Sequence, residues 1–414
     1  MNTTVFIISF TLMLGLSLWI GRSKKNQLST NQDFYLSGRN LKFFGLTLSF
    51  LATQLGGGAL IGAAQAAYQH GFHAFLYALG LSLGLIFLSL GIGARFRQLD
   101  VHTLPELFTK YYQSPVLRII SGIISIVSLF LILVAIGISA RKFFITLGLE
   151  SELWFMVFAC TGILYTVMGG LSAVVRTDVL QGIFIAVVLV SSLFFLDFKA
   201  DLSLCMNASS EVQNSNIPWT DWLLMPMLFV IIGQDMSQRC FAATNPKIVS
   251  RATMSAGFLL LFLSLIPVIL GLMAQQTLSQ NDHNQSILMT YMLMVGTPTF
   301  NAFFALAILM AILSTMDSLV CSISSNINYD LFFFLKGSED RVWLARAITL
   351  AVGMSAMILS IHLDGIIELM ILAYKFSIYT LFVPILLTAF YTGAKKWHVC
   401  MLMLVGTLLF GASL

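Results

Sequence analysis

Charge is scarce in this sequence of 414 residues: Asp, Glu, Lys and Arg make up 10% of it, against about 25% in soluble globular proteins. So few charges cannot clothe a water-soluble surface, which excludes a soluble enzyme and a disordered scaffold. The five cysteines, Cys160, Cys205, Cys240, Cys321 and Cys400, are scattered with no near pair. A disulfide framework and a zinc site are thereby excluded, and packing roles are expected. The six histidines show no metal-ligand spacing. No GxxxxGK[ST], HExxH or GxSxG run occurs, so neither an ATP-driven pump nor a familiar hydrolase is indicated. Basic residues are not clustered with aromatics, which argues against a nucleic-acid partner. What the chain does hold is hydrophobicity: 58% of residues are apolar and mean hydropathy is +0.90. The excess must face a lipid bilayer.

A spanning helix needs roughly 20 apolar residues. Such runs fall at about 4–21, 41–68, 72–95, 116–140, 151–168, 173–196, 220–237, 252–275, 299–332, 342–361, 364–391 and 397–413. The connections 197–219 and 276–298 are polar, with Asp197, Asp201 and Glu211 in one and Asp282 and His283 in the other. With the N-terminus outside, the inner loops collect Arg22, Lys24, Lys25, Arg39 and Lys42; Arg95, Arg97, Lys110 and Arg118; Arg176; Arg239, Lys247 and Arg251; Lys336, Arg341 and Arg346; Lys395 and Lys396. The outer side receives Arg141, Lys142 and Lys199, and Lys375 lies within a span. Basic residues gather on the cytoplasmic side, so a multi-pass protein of the plasma membrane (the inner membrane in a bacterium) is expected. The first helix has its basic residues after the apolar run, unlike a cleavable signal, and is expected to stay as a span.

In lipid, unwound backbone survives only where protein or a watery cavity satisfies its polar groups. Gly56, Gly57 and Gly58 stand in a row in the second span, followed by Gly62. Each glycine costs about 1 kcal/mol in a helix, so three together predict a break. Gly233, Gln234 and Asp235 give a weaker break signal in the seventh span. Paired interruptions in two halves point to an inverted-repeat transporter with its site at the repeat interface. The ninth span runs MAILSTMDSLVCSISSN from Met310, and Ala311, Ser314, Thr315, Ser318, Ser322 and Ser325 share one helical face. Asp317 sits beside that face. A carboxylate in mid-span implies a cation, a proton or a partner; hydroxyls and free carbonyls are hard donors suited to an alkali cation. Asp178 admits two readings, a helix N-terminal acid or a cation ligand. For Lys375, two turns after Glu368, an ion pair within the bundle or a snorkelling side chain is expected.

Five motifs in order give the chain a resemblance to the sodium/solute symporter family. FYLSGRNL from Phe34, TLPELF from Thr103, GGLSAVVRTDVLQG from Gly169, GQDMSQR from Gly233 and LSTMDS from Leu313 each resemble a family segment. The resemblance covers nearly the whole chain. It implies the fold of the bacterial leucine transporter: an all-α membrane protein with an inverted repeat of five plus five helices. The first and sixth core helices would be broken, with one helix before and one after the core, about twelve spans in all. The corresponding divisions are 1–40 (N-terminal helix and cytoplasmic loop), 41–196 (first repeat), 197–219 (extracytoplasmic loop), 220–394 (second repeat) and 395–414 (C-terminal helix). It implies no enzyme but a sodium-coupled symporter of a small organic solute, with a homodimer as an expected assembly. A principal sodium site would use the carbonyls of Ala52, Leu55 and Ala311 and the hydroxyls of Ser314 and Thr315. A second, used by some members, would take Asp178, Thr315, Asp317 and Ser318, giving one or two sodium ions.

The run ATQLGGGALIGAAQAAY, from Ala52, is similar to the corresponding first core helix of the family's choline transporters. Where those carry tryptophan this chain has Gln54 and Gly233, and Gln65 stands where they carry an acid. A quaternary ammonium wants aromatic faces, and these positions supply none. Sugar carriers place an asparagine where Gly233 lies. Gln54, Gln65, Gln234 and Asp235 could hydrogen-bond a polar or zwitterionic solute or equally tie helices together; the expected solute site takes Gln54, Gly56, Gly57, Gly58, Gln65, Gly233 and Gln234. Two other readings stay open: a proton-coupled carrier using Asp317, and a membrane sensor derived from a transporter.

Overall fold

The computed structural model describes residues 1–22, 28–149, 151–196, 219–278, 286–332, 341–363, 366–391 and 393–413, the side chains of 366–368 apart. The loop residues Asp197, Asp201, Glu211, Asp282, His283 and Cys205, the basic Lys24, Lys25, Lys199 and Lys336, and the Glu368 side chain lie outside them.

A bilayer forces backbone polar groups to pair within the segment that crosses it. Accordingly, the regular structure among the described residues is helical, apart from an isolated bridge between Leu41 and Ala243. Among the described residues, eight helical stretches are long and apolar enough to cross a membrane, and Phe43–Gln54 and Lys396–Ala412 are shorter apolar helices. Two of the eight, Gly58–Gln98 and Glu152–Phe195, hold 41 and 44 residues. As straight rods they would be about 60 Å long, twice the hydrocarbon thickness. Each is interrupted by a glycine of positive φ, Gly71 at 67° and Gly170 at 55°. At Gly170 a side chain is excluded twice over, by that φ and by the Phe34 carbonyl, which a Cβ would overlap. These interruptions fall where the sequence separates its second span from its third and its fifth from its sixth.

Both expected breaks are present. The first broken helix runs Phe43–Gln54, leaves helical geometry at Leu55 (φ −77°, ψ 26°), and resumes through a π turn, Gly58–Gly62, into Ala63–His70. The second runs Met225–Ile232, passes through one extended residue, Gly233 (φ −60°, ψ 130°), and continues as Gln234–Ala242. The weaker of the two sequence signals thus marks a complete break.

The helix Pro298–Asn326 is the axis of the bundle. It begins on Pro298, where a missing N–H costs nothing, with the Thr297 hydroxyl accepting from Phe300 N at 3.3 Å. Its most apolar stretch is 94% buried, against 28% for the first helix, Thr3–Gly21. Small side chains at Ala302, Ala305, Ala307, Ala311, Ser314 and Ser318 let neighbouring backbones approach closely. The first helix instead turns Leu12 and Trp19 outward, as a lipid-facing helix should.

Candidate ion and solute site

The first break and the axial helix meet through hydroxyls. Ser314 Oγ donates to the Ala52 carbonyl at 2.9 Å and to the Ala311 carbonyl at 3.0 Å. Thr315 Oγ1 donates to the Thr53 carbonyl at 2.9 Å and to the Ala311 carbonyl at 3.2 Å. Four of the five principal residues, Ala52, Ala311, Ser314 and Thr315, are therefore joined directly. Leu55 closes the half-helix Phe43–Gln54 one residue before Gly56. A Cβ at Gly56 would overlap Thr315 Oγ1, so this glycine is what allows the hydroxyl to reach the broken backbone.

Around Asp178 the arrangement is different. Arg239 is fully buried, although the inner-loop charge pattern assigns it to a cytoplasmic loop. Its guanidinium donates to Ser49 Oγ at 2.8 Å, Thr53 Oγ1 at 2.7 Å, Ser318 Oγ at 2.6 Å, Asp178 Oδ2 at 3.1 Å and the Asp235 carbonyl at 2.9 Å. Asp178 also accepts from the Ser49 hydroxyl. Asp317 accepts from the Tyr165 hydroxyl and from Ser318 Oγ at 3.2 Å. Of the second candidate set, Asp178, Asp317 and Ser318 thus share one buried network, with a cation of the protein's own inside it. The Thr315 hydroxyl is committed to the carbonyls described above.

The solute candidates divide. Gln54 Nε2 donates to Met236 Sδ at 3.1 Å, linking the two breaks. A Cβ at Gly57 would lie 3.2 Å from Ser139 Oγ, and one at Gly58 would meet Met370 and Tyr77. Gly233 is the break residue itself. Gln65 is half-buried in the half-helix Ala63–His70. Gln234, by contrast, turns towards the loop after the third span: its carbonyl accepts from Leu104 N at 3.0 Å and its amide donates to the His102 carbonyl at 3.3 Å. In that loop Glu106 accepts from His102 N at 2.7 Å. Burial opposes the charge of Glu106, yet the His102 ring and backbone N–H and the Arg118 guanidinium hold its carboxyl below the ordinary glutamate value. Lys375 forms the expected ion pair, with Asp221 at 3.0 Å.

Sequence patterns missed Arg239, Ser49, Thr53 and Tyr165. For three of them a signal existed. Asp235 and Arg239 are one turn apart, as are Ser49 and Thr53, so each pair occupies one face of its half-helix. Nothing in the sequence sets Tyr165 apart from a packing tyrosine.

These features were compared with known proteins. The chain is 25% identical over 390 residues to the High-affinity choline transporter 1 of Drosophila melanogaster, an alignment covering 87% of this chain and 62% of that one. It is 26% identical over 386 residues to the Sodium/proline symporter of Salmonella typhimurium, covering 86% and 75%. The chain thus spans less than two thirds of the length of the choline transporter it matches. The solved structure of a Na+-coupled sialic acid symporter, substrate-bound and outward-open, superposes with a TM-score of 0.77 at 18% identity, covering 99% of this chain and 97% of that one. That likeness extends to the fold, the inverted-repeat architecture of broken core helices. A profile of known transporters covers residues 34–406, taking in every motif described above, and by that match the chain belongs to the sodium:solute symporter family.

Proposed function

We propose that this chain is a secondary active transporter in which sodium entry drives symport of a small polar or zwitterionic organic solute by alternating access. The observation that carries this reading is the 2.9 Å contact of Ser314 Oγ with the Ala52 carbonyl. A cation entering there would meet carbonyl oxygens at the negative end of a half-helix. The Ser314 and Thr315 hydroxyls need only rotate their protons away to present lone pairs. Such a set of hard oxygens suits an alkali cation and leaves no role for a soft metal. Sodium would be held by the carbonyls of Ala52, Leu55 and Ala311 with those two hydroxyls. A second ion among Asp178, Thr315, Asp317 and Ser318 would have to share the space with the Arg239 guanidinium, so we assign one sodium per cycle. The solute would lie between the two breaks, against Gln54 and Gly56 to Gly58 on one side and Gly233 on the other. The N-terminus is assigned to the outside, from the distribution of basic residues.

Two measurements test this. Gly56→Ala should push Thr315 Oγ1 out of the break and lower sodium affinity by about tenfold or more, a loss equivalent to one strong ligand contact. Gly62→Ala, whose Cβ meets nothing within 4 Å, should leave the affinity near that of the parent. Sodium titrations of thermal stability read both. Uptake into proteoliposomes, with sodium and pH gradients imposed separately, then decides the coupling ion. Uptake that follows the sodium gradient supports the proposal. Uptake that ignores sodium, follows pH and is abolished by Asp317→Asn would hand the role to a proton on Asp317 instead.

A further inference from the structure

The second break carries a buried carboxyl group, Asp235. Asp235 is 5% exposed, and its Oδ1 has no hydrogen-bond partner among the described residues. The Arg239 guanidinium does not supply one: its hydrogen bonds go to Ser49, Thr53, Ser318, Asp178 and the Asp235 backbone carbonyl. Asp235 Oδ1 points back into the break. A methyl group built on Gly233 would sit 2.6 Å from it and 3.4 Å from Phe229 Cε1. The free oxygen and the edge of an aromatic ring therefore converge on the one residue of this helix that lacks a side chain.

The aromatic surface continues from there to the first break. The Phe229 and Tyr374 rings lie 4.7 Å apart at 40°. Tyr374 and Tyr77 join hydroxyls at 3.1 Å, and the Tyr77 hydroxyl lies 3.5 Å from where a Cβ of Gly58 would stand. An unpaired carboxylate oxygen beside three aromatic side chains suits a positively charged nitrogen: the oxygen answers the charge, and the rings give an apolar wall to the methylene or methyl groups around it.

Charge balance within the bundle points the same way. Asp330 is matched by Arg118 at 2.9 Å and Asp221 by Lys375 at 3.0 Å. Around the breaks, Asp178, Asp235 and Asp317 stand against Arg239. One guanidinium thus faces three buried carboxyl groups, which leaves carboxyl oxygen at the breaks able to attract a further cation.

We propose that the solute carries a protonated or quaternary amine, held by Asp235 Oδ1 against Phe229, Tyr374 and Tyr77. This deepens the symport reading and rests on it for the position of the site. The aromatic side chains absent at Gln54 and Gly233 would thus be replaced by Phe229 and by the two tyrosines across the bundle. Sugars and solutes whose only charge is a carboxylate are disfavoured by the same oxygen.

The test uses the purified full chain and reads thermal stabilisation in sodium and in potassium. The amine probes are choline, ethanolamine, glycine betaine, proline and putrescine; glucose and pantothenate serve as neutral and anionic probes. At least one amine should stabilise the protein, and glucose and pantothenate should not. Asp235→Asn should weaken the active amine by about tenfold or more, and Asp235→Glu should recover part of the loss. Phe229→Leu, which keeps the site apolar, should weaken a quaternary amine while leaving the unfolding midpoint without solute close to the parent's. Silence of every amine overturns the proposal. So does stabilisation by glucose or pantothenate, or an amine affinity that Asp235→Asn does not change. An amine that binds through Asp235 equally in sodium and potassium supports the amine site and removes the sodium coupling, so the two readings fail separately.

Discussion

Arg239→Ala should destabilise the folded protein by about 3–5 kcal/mol, the usual consequence of removing one partner from a buried ion pair. The guanidinium is fully buried and gives five hydrogen bonds to four segments: the first half of the first broken helix, the helix bearing Asp178, its own helix and the axial helix. Its loss leaves the buried Asp178 carboxyl without its cationic partner and removes a donor from the hydroxyls of Ser49, Thr53 and Ser318. Arg239→Lys should fall between the parent and the alanine variant, because a compact ammonium has three donors and cannot span oxygens that a planar fork reaches together. The decisive comparison is with Asp178→Asn. If the pair acts as argued, each single change is severe and Arg239→Ala/Asp178→Asn is less damaging than the sum, since neither member then leaves an unpaired charge. Thermal unfolding midpoints at a fixed scan rate suffice to read the order. Strict additivity would show that the two residues do not depend on one another.

Reading the chain residue by residue separates what periodicity can carry from what it cannot. The spans were legible because a bilayer imposes a length and a composition on each crossing. The first break was legible because three consecutive glycines have no helical rationale. The hydroxyl face of the axial helix followed from helical spacing alone, since Ser314, Thr315 and Ser318 recur at intervals of three and four. Arg239 shows the limit. The rule that places basic residues in inner loops is statistical, and this arginine lies near an inner helix end; only its partners, contributed by three other segments, explain why it is buried. Gln234 shows the same limit from the other side. A glutamine at a helix break reads as a solute ligand, but the loop residues His102 and Leu104 take up its amide. Tertiary partners far apart in sequence decide both cases, and hydrophobic pattern contains no record of them.

Ser314→Ala is expected to lower sodium affinity roughly ten- to a hundredfold. The change removes one oxygen of a set of five while adding neither charge nor bulk. The hydroxyl now bridges the Ala52 and Ala311 carbonyls, at 2.9 and 3.0 Å. Without it the first break and the axial helix lose a direct link as well as a ligand. The carbonyls cannot close the gap, because Ala52 is fixed in the half-helix Phe43–Gln54 and Ala311 in the axial helix. Solute affinity rises with sodium occupancy, so at intermediate, subsaturating sodium it should fall in the variant by up to the factor lost in sodium affinity. At saturating sodium that loss should disappear, because the coupling ion is again bound in nearly every molecule. Solute affinity measured along a sodium series, for the parent and the variant, therefore gives two curves displaced along the sodium axis that meet at its upper end. A variant curve that stays low at every sodium concentration would locate Ser314 in the solute's own contacts, and curves that coincide throughout would remove it from the sodium site.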